Sequence, residues 1–297
     1  MKEFLHKIRA AIAIATLLLM SGCSIVRLGY DHAPLLTWWW LDSYVDFSRE
    51  QAPHAKQAIH QWFDWHRSAQ IPEYADWLAA IRSQIDEPVT SVQVCQWSDE
   101  LQNIIAPAFD RAVLLSAPVV LRLGDAQWRY LEQRYIKNND ELRRDFLQPD
   151  PEDRRRAAIK RTVKRIENLY GRINEEQKRL IVASIEASPF NPEMWMVERQ
   201  RRQQETLLTL RQLAAESIAS EQAAITLRRL IEYTHRSDDP DYRAYQLRLA
   251  GHTCEFIARM HNSAAPIQRQ HAYDKLKEWE MDLRALMVDN SLQTASE

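Results

Sequence analysis

Apolar side chains along most of this chain return at steps of three and four residues, the period of a helix face turned toward a core. Trp128, Leu131, Tyr135, Leu142 and Phe146 keep one such face, and so do Ile159, Val163, Ile166 and Tyr170. Ala272, Leu276, Trp279, Leu283 and Leu286 make a third. This pattern predicts about ten helices, roughly over 35–68, 73–86, 91–115, 118–147, 151–171, 174–188, 192–216, 220–236, 240–263 and 266–289.

The helix starts are written out in capping residues. Asp150-Pro151, Asn191-Pro192 and Asp239-Pro240 each put a capping side chain before a Pro at the first helical position, with an acid following. Thr90-Ser91-Val92-Gln93 fits a capping box. Pro53 and Pro107 fall inside predicted helices and are expected to kink or split them. Connections are short and no fixed-period repeat appears, which points to an all-α fold: an irregular multi-helix bundle or a curved helical array. The clearest seam, Gln148-Pro149-Asp150-Pro151, suggests helical halves at 35–148 and 149–290, followed by a disordered tail at 291–297.

Composition narrows the function. With 45% apolar and 27% charged residues in 297, the chain can bury a core. The five glycines, Gly22, Gly29, Gly124, Gly171 and Gly251, form no cluster, which excludes the glycine-rich phosphate cradles of dinucleotide, P-loop and kinase sites. A formal charge of -2 offers nucleic acid no attractive field.

The N-terminus changes the picture most. Lys2, Lys7 and Arg9 precede the apolar run Ala10–Met20, which is shorter than the roughly 20 residues needed to cross a bilayer and has the layout of a secretory signal. Leu19-Met20-Ser21-Gly22-Cys23 then resembles the lipobox of bacterial lipoproteins, with Met20 where Leu is usual. That resemblance implies a signal peptide at 1–22, acylation of Cys23 and an anchor and linker over 23–34. By resemblance to sorted lipoproteins, Ser24 rather than Asp after the Cys implies the outer membrane, with the body facing the periplasm. Without the lipobox, the same run reads as a buried N-terminal segment or an uncleaved helical anchor. Loss of residues 1–22 would shift the formal charge from -2 to -4.

In an oxidising compartment the two remaining cysteines, Cys95 and Cys254, suit a disulfide across 159 residues of sequence. Two buried free thiols are the other reading.

Four further constellations invite a functional reading. Trp38, Trp39, Trp40, Tyr44 and Phe47 run round more than one helix face, as in a central helix packed on several sides or an interfacial aromatic belt near the lipid anchor. His54, His60 and His66 recur every six residues and so point in different directions, leaving at most a weak pair of metal ligands in His60 and Asp64. Arg154, Arg161, Arg165 and Arg172 belong to a basic stretch that is either a solvated face or a contact for an anionic envelope polymer or lipid headgroup. No hydrolase nucleophile elbow or zinc-protease helix occurs, so no catalytic residue, metal ligand set or cofactor is assigned.

Beyond the lipobox, Trp39-Trp40-Leu41-Asp42-Ser43-Tyr44-Val45-Asp46, Gln51, Trp65-His66-Arg67, Pro72 and Tyr74 resemble a family of Gram-negative lipoproteins of unknown function. The resemblance continues at Cys254, Ala258, His261-Asn262, Gln268-Arg269, Leu276 and Asp282-Leu283. It implies lipid attachment at Cys23 and an envelope location, and carries no catalytic residue. Ile173-Asn174-Glu175-Glu176-Gln177 also looks like one degenerate copy of the Leu-Thr-x-x-Gln motif of small periplasmic helical chaperones, although a capped helix start at Asn174 accounts for it. The expectation is a non-enzymatic, lipid-anchored protein that binds an envelope protein or anionic polymer through a helix face. The alternatives are a chaperone-like or apolar-ligand-binding protein, or a cell-wall-active hydrolase.

Overall fold

The computed structural model describes residues 29–216 and 218–293. Cys23, the signal segment 1–22 and the end of the tail lie outside the described residues. The fold is all-α, with eleven α-helices among the described residues. They are α1 (Ala33–Val45), α2 (Ala52–Trp65), α3 (Ile71–Arg82), α4 (Ser91–Val120), α5 (Asp125–Phe146) and α6 (Pro151–Tyr170). There follow α7 (Glu175–Glu186), α8 (Pro192–Ala215), α9 (Ser220–His235), α10 (Pro240–Asn262) and α11 (Pro266–Gln293). A π-helical turn, His66–Gln70, joins α2 to α3.

The capping residues act as their types dictate. Thr90 and Gln93 exchange the hydrogen bonds of a capping box, as do Asn174 and Gln177. Asp150, Asn191 and Asp239 accept from first-turn amides ahead of Pro151, Pro192 and Pro240. Gly171 ends α6 at φ 72, a left-handed conformation that suits glycine. A Cβ there would also meet the His271 ring at 3.3 Å.

Four predicted boundaries are corrected. The span 35–68 is two helices, because Asp46 closes α1 in the left-handed region at φ 56 while Asp42 Oδ1 accepts the Phe47 amide at 3.0 Å. Pro53 therefore stands in the first turn of α2, where its missing N–H costs nothing. The break expected near Pro72 is absent, since the π turn carries the chain from α2 into α3. The break expected between 115 and 118 is also absent: α4 continues through Pro107 and Pro118 to Val120. An interior Pro costs about 3 kcal/mol, and packing of α4 against α2, α9 and α10 offsets it. The chain turns instead at 121–124, where Gln127 Oε1 accepts the Gly124 amide at 3.1 Å. At the far end α11 runs to Gln293, past the boundary expected at 290.

The seam at 148–151 is a short link between α5 and α6, and helices from its two sides pack together. α11 lies along α3, and α9 and α10 lie along α4. One core gathers Val113, Ala117, Trp128, Leu131, Leu207, Leu210 and Leu227 from α4, α5, α8 and α9. A second gathers Ile85, Tyr170, Ala272 and Leu276. Between α3 and α11, burial pushes the Glu280 carboxyl up, but its bonds to Arg284 and Arg82 outweigh this and hold it below the usual glutamate range.

The connection between α3 and α4 is pinned by the end of α10. Asn262 bonds both the amide and the carbonyl of Val89 at 2.9 Å. His261 Nε2 donates to the Glu87 carbonyl at 2.9 Å, so its Nδ1 accepts from the Tyr170 hydroxyl, also at 2.9 Å. Burial lowers the His261 pKa, in keeping with this neutral form. Gln177 and Gln268 pair their amides reciprocally at 2.9 and 3.0 Å, tying the start of α7 to the start of α11. Of the chaperone-like stretch, Asn174 and Gln177 are thus engaged in the helix cap, Gln177 also in the buried amide pair, and Ile173 lies in a small core.

Candidate functional site: an apolar cavity between the N-terminal helices

Helical periodicity builds the walls of one cavity of about 510 Å³. α2 contributes Ala55, Ala58, Ile59, Trp62 and Phe63, and α4 contributes Ala112, Leu115, Ser116, Val119 and Val120, each a single i, i+3/i+4, i+7 stripe. Thr37, Leu41 and Val45 from α1 close one side. Trp128 and Leu131 from α5, with Leu210 from α8, close another. The space exists because short side chains, Ala55 and Ala58 on α2 and Ala112 and Ser116 on α4, occupy apolar stripes where a Leu or Phe would fill it. Its volume falls within the roughly 300–1,000 Å³ typical of ligand sites.

The chemistry of the walls is simple. No ionisable side chain is among the lining residues. The Ser116 hydroxyl donates to the Val113 carbonyl at 3.2 Å, and the Gln127 amide donates to the Asp46 carbonyl at 3.2 Å. The Trp62 indole donates to the Ala108 carbonyl at 2.9 Å. With these groups committed to the protein, the wall presents mainly apolar surface, to which Thr37 adds a hydroxyl.

An aromatic cluster adjoins the cavity through Trp62 and Phe63. His66 stacks on Trp62 with ring centroids 4.4 Å apart, and Tyr30 meets Phe63 edge-on at 5.6 Å. The Tyr30 hydroxyl lies 2.8 Å from His66 Nδ1. Arg67 pairs with Asp31 at 2.6 Å while covering the Tyr30 ring. Burial lowers the His66 pKa to about 4, so the neutral ring accepts a hydrogen bond from the Tyr30 hydroxyl. Burial likewise raises the Tyr30 pKa to about 12.

The sign of the resulting pH effect follows from linkage. An unfolded chain protonates this histidine near 6.5, the folded chain only near 4, so the contribution is complete above 6.5 and is lost as pH falls toward 4. Thermal unfolding across this window is expected to lose about 1–3 kcal/mol of stability from this group. His66→Gln, which keeps an acceptor for Tyr30, should flatten that part of the profile; an unchanged profile would show that His66 is not its source.

The other candidate residues are dispersed. Cys23 is outside the described residues. Cys95 on α4 and Cys254 on α10 are joined, with Cα atoms 5.5 Å apart, in a small core with Val89, Val94 and Ala258. The arginines do not form one free basic face. Arg154 pairs with Glu193 at 2.5 Å, and Arg161 donates to the Asp145 carbonyl and covers the Phe146 ring. Arg165 and Arg172 are exposed. His60 and Asp64 are exposed, and among the described residues no group of three His, Cys, Asp or Glu is placed to hold a metal ion.

The reading of the tryptophan segment as a central helix is corrected, because α1 has no buried residue. The cavity itself was missed in the sequence. Its only trace there is the small residue recurring on apolar stripes, and a stripe does not say which stripe faces it.

α4 is the one described helix long and apolar enough to cross a membrane, and it packs against α2, α9 and α10 and carries Cys95. Fold and site together define an all-α protein with an apolar cavity between its N-terminal helices. The chain belongs to a family of unknown function (DUF6279), which matches residues 43–243 and so takes in most of the cavity wall. No curated protein and no solved structure matches it.

Proposed function

We propose that this is a lipid-anchored envelope protein, acylated at Cys23 and facing the periplasm at the outer membrane, that takes an apolar ligand into its cavity. One hydrocarbon chain, such as the acyl chain of a fatty acid or lipid, is the ligand class. The observation that carries this reading is the cavity of about 510 Å³, lined by no ionisable side chain, in which Ser116, Gln127 and Trp62 are already bonded to the protein. Each methylene transferred from water into such a site contributes about 0.8 kcal/mol, so binding rises with chain length. The reading is non-enzymatic, and it is favoured over capture of an anionic polymer because Arg154 and Arg161 are engaged within the protein.

Displacement of a fluorescently labelled fatty acid tests it. The wild type is expected to bind saturably, with affinity increasing along a series of longer fatty acids. Ala112→Phe places a ring in the space and should weaken binding by more than about tenfold, the equivalent of losing two methylenes. Absence of saturable binding, or binding indifferent to this substitution, would remove the cavity as the site.

A further inference from the structure

From Ala33 to Leu41 helix α1 is predominantly apolar on every side, yet none of its residues is buried. A helix of this composition belongs in a protein core or against lipid. At about 100° per residue, Thr37, Leu41 and Val45 form a stripe that lines the cavity. Leu35, Leu36, Trp39 and Trp40 form a second stripe whose centre lies about 170° away round the helix. This second stripe faces solvent, with Trp39 58% and Trp40 57% exposed. From Ala33 to Leu41 there is no charged residue.

We infer that the outward stripe of α1, formed by Leu35, Leu36, Trp39 and Trp40, docks on the surface of the phospholipid bilayer. The inference rests on the anchored reading of Cys23, because the chain's path to that residue argues for lipid as the occupant. Gly29 is only six residue steps from Cys23, a reach of at most about 22 Å. Tyr30 is then held on the body by His66 and Arg67. A short tether fixed at both ends keeps α1 close to the membrane surface. The side chains fit that position, since Trp rings settle at the headgroup level with aliphatic neighbours below. A second copy of the chain is a poorer occupant, because four residues fall far short of the roughly 20–30 a side of a stable dimer. The helix is then a wall with the cavity on one face and the bilayer on the other, so the cavity's hydrocarbon ligand is exchanged with the membrane. With no charge in the stripe, docking is insensitive to salt and does not require anionic lipid.

The test uses the full-length protein reconstituted with vesicles of zwitterionic phosphatidylcholine, some of it brominated on its acyl chains to quench nearby tryptophan. The wild type is expected to float with the vesicles and to show a quenched component that persists at high salt. Trp39→Phe combined with Trp40→Phe removes two of the ten tryptophans and should abolish that component while flotation remains. Circular dichroism of the variant verifies that its helices are intact. Flotation without quenching in the wild type would overturn the docking and leave the lipid anchor standing. Quenching that survives in the variant would assign contact to another surface and also overturn it. Failure to float, with no quenching, would remove both the anchor and the docking. An α1-dependent dimer with unquenched Trp39 and Trp40 would give the stripe to a second copy instead.

Discussion

Severing the covalent link between Cys95 and Cys254 is expected to cost about 5 kcal/mol of stability, because the bond closes a loop of 159 residues and withholds that much freedom from the unfolded chain. Domains of this kind have total stabilities of roughly 5–15 kcal/mol, so the doubly substituted Cys95→Ser, Cys254→Ser protein should be marginal at growth temperature. The link sits where α4 meets α10, and α10 also clamps the α3–α4 connection through His261 and Asn262. Loosening the α4 start should therefore reach α3 and its partner α11, and unfolding should stay cooperative. Denaturant titration of oxidised, reduced and substituted protein measures the effect. Peptide mapping with and without reductant checks the bond itself. Two alkylatable thiols in the native protein, or equal stability with and without reductant, would refute the expectation.

Trp128→Ala is expected to show the second large effect, because Trp128 belongs at once to the main core and to the cavity wall. It is 3% exposed and packs with Val113, Ala117, Leu131, Leu207 and Leu210. Truncation of such a residue costs about 3–5 kcal/mol. The space it leaves opens onto a cavity that already exists, so its neighbours have little incentive to collapse and the loss should fall toward the upper end. The same change enlarges the site. A bulkier hydrocarbon ligand should then bind the variant better than the wild type and restore about 2.7 kcal/mol when present at a hundredfold its dissociation constant. Equilibrium unfolding with and without ligand tests both halves. A variant as stable as the wild type would contradict the packing argument, and a destabilised variant that no apolar ligand rescues would count against the cavity as a binding site.

Much of this fold was legible along the chain. Asp150-Pro151, Asn191-Pro192 and Asp239-Pro240 begin helices because the side chain, the proline ring and the first-turn amides act within a few residues of one another. Local chemistry of that kind does not depend on what packs nearby. Proline misled where its partner was distant. Pro107 and Pro118 lie inside α4 because neighbouring helices hold that helix together, while Pro53 lies harmlessly in a first turn because Asp46 and Asp42 end the preceding helix. The histidines had a similar history: their spacing argued against a shared metal site, but nothing in it placed His66 between Trp62 and Tyr30.

By itself the sequence determined the all-α class, most of the helix boundaries, the apolar stripes and the capping residues, since each depends on residues within a turn or two. The tertiary structure alone decided that α11 lies on α3, that α10 secures the α3–α4 connection, and that α1 stays outside the core. It alone turned the alanine-bearing stripes of α2 and α4 toward each other, so that missing side-chain volume became a cavity. The reason is geometric. A stripe's period fixes which residues share a face, whereas the partner of that face is chosen by the packing of all the helices at once.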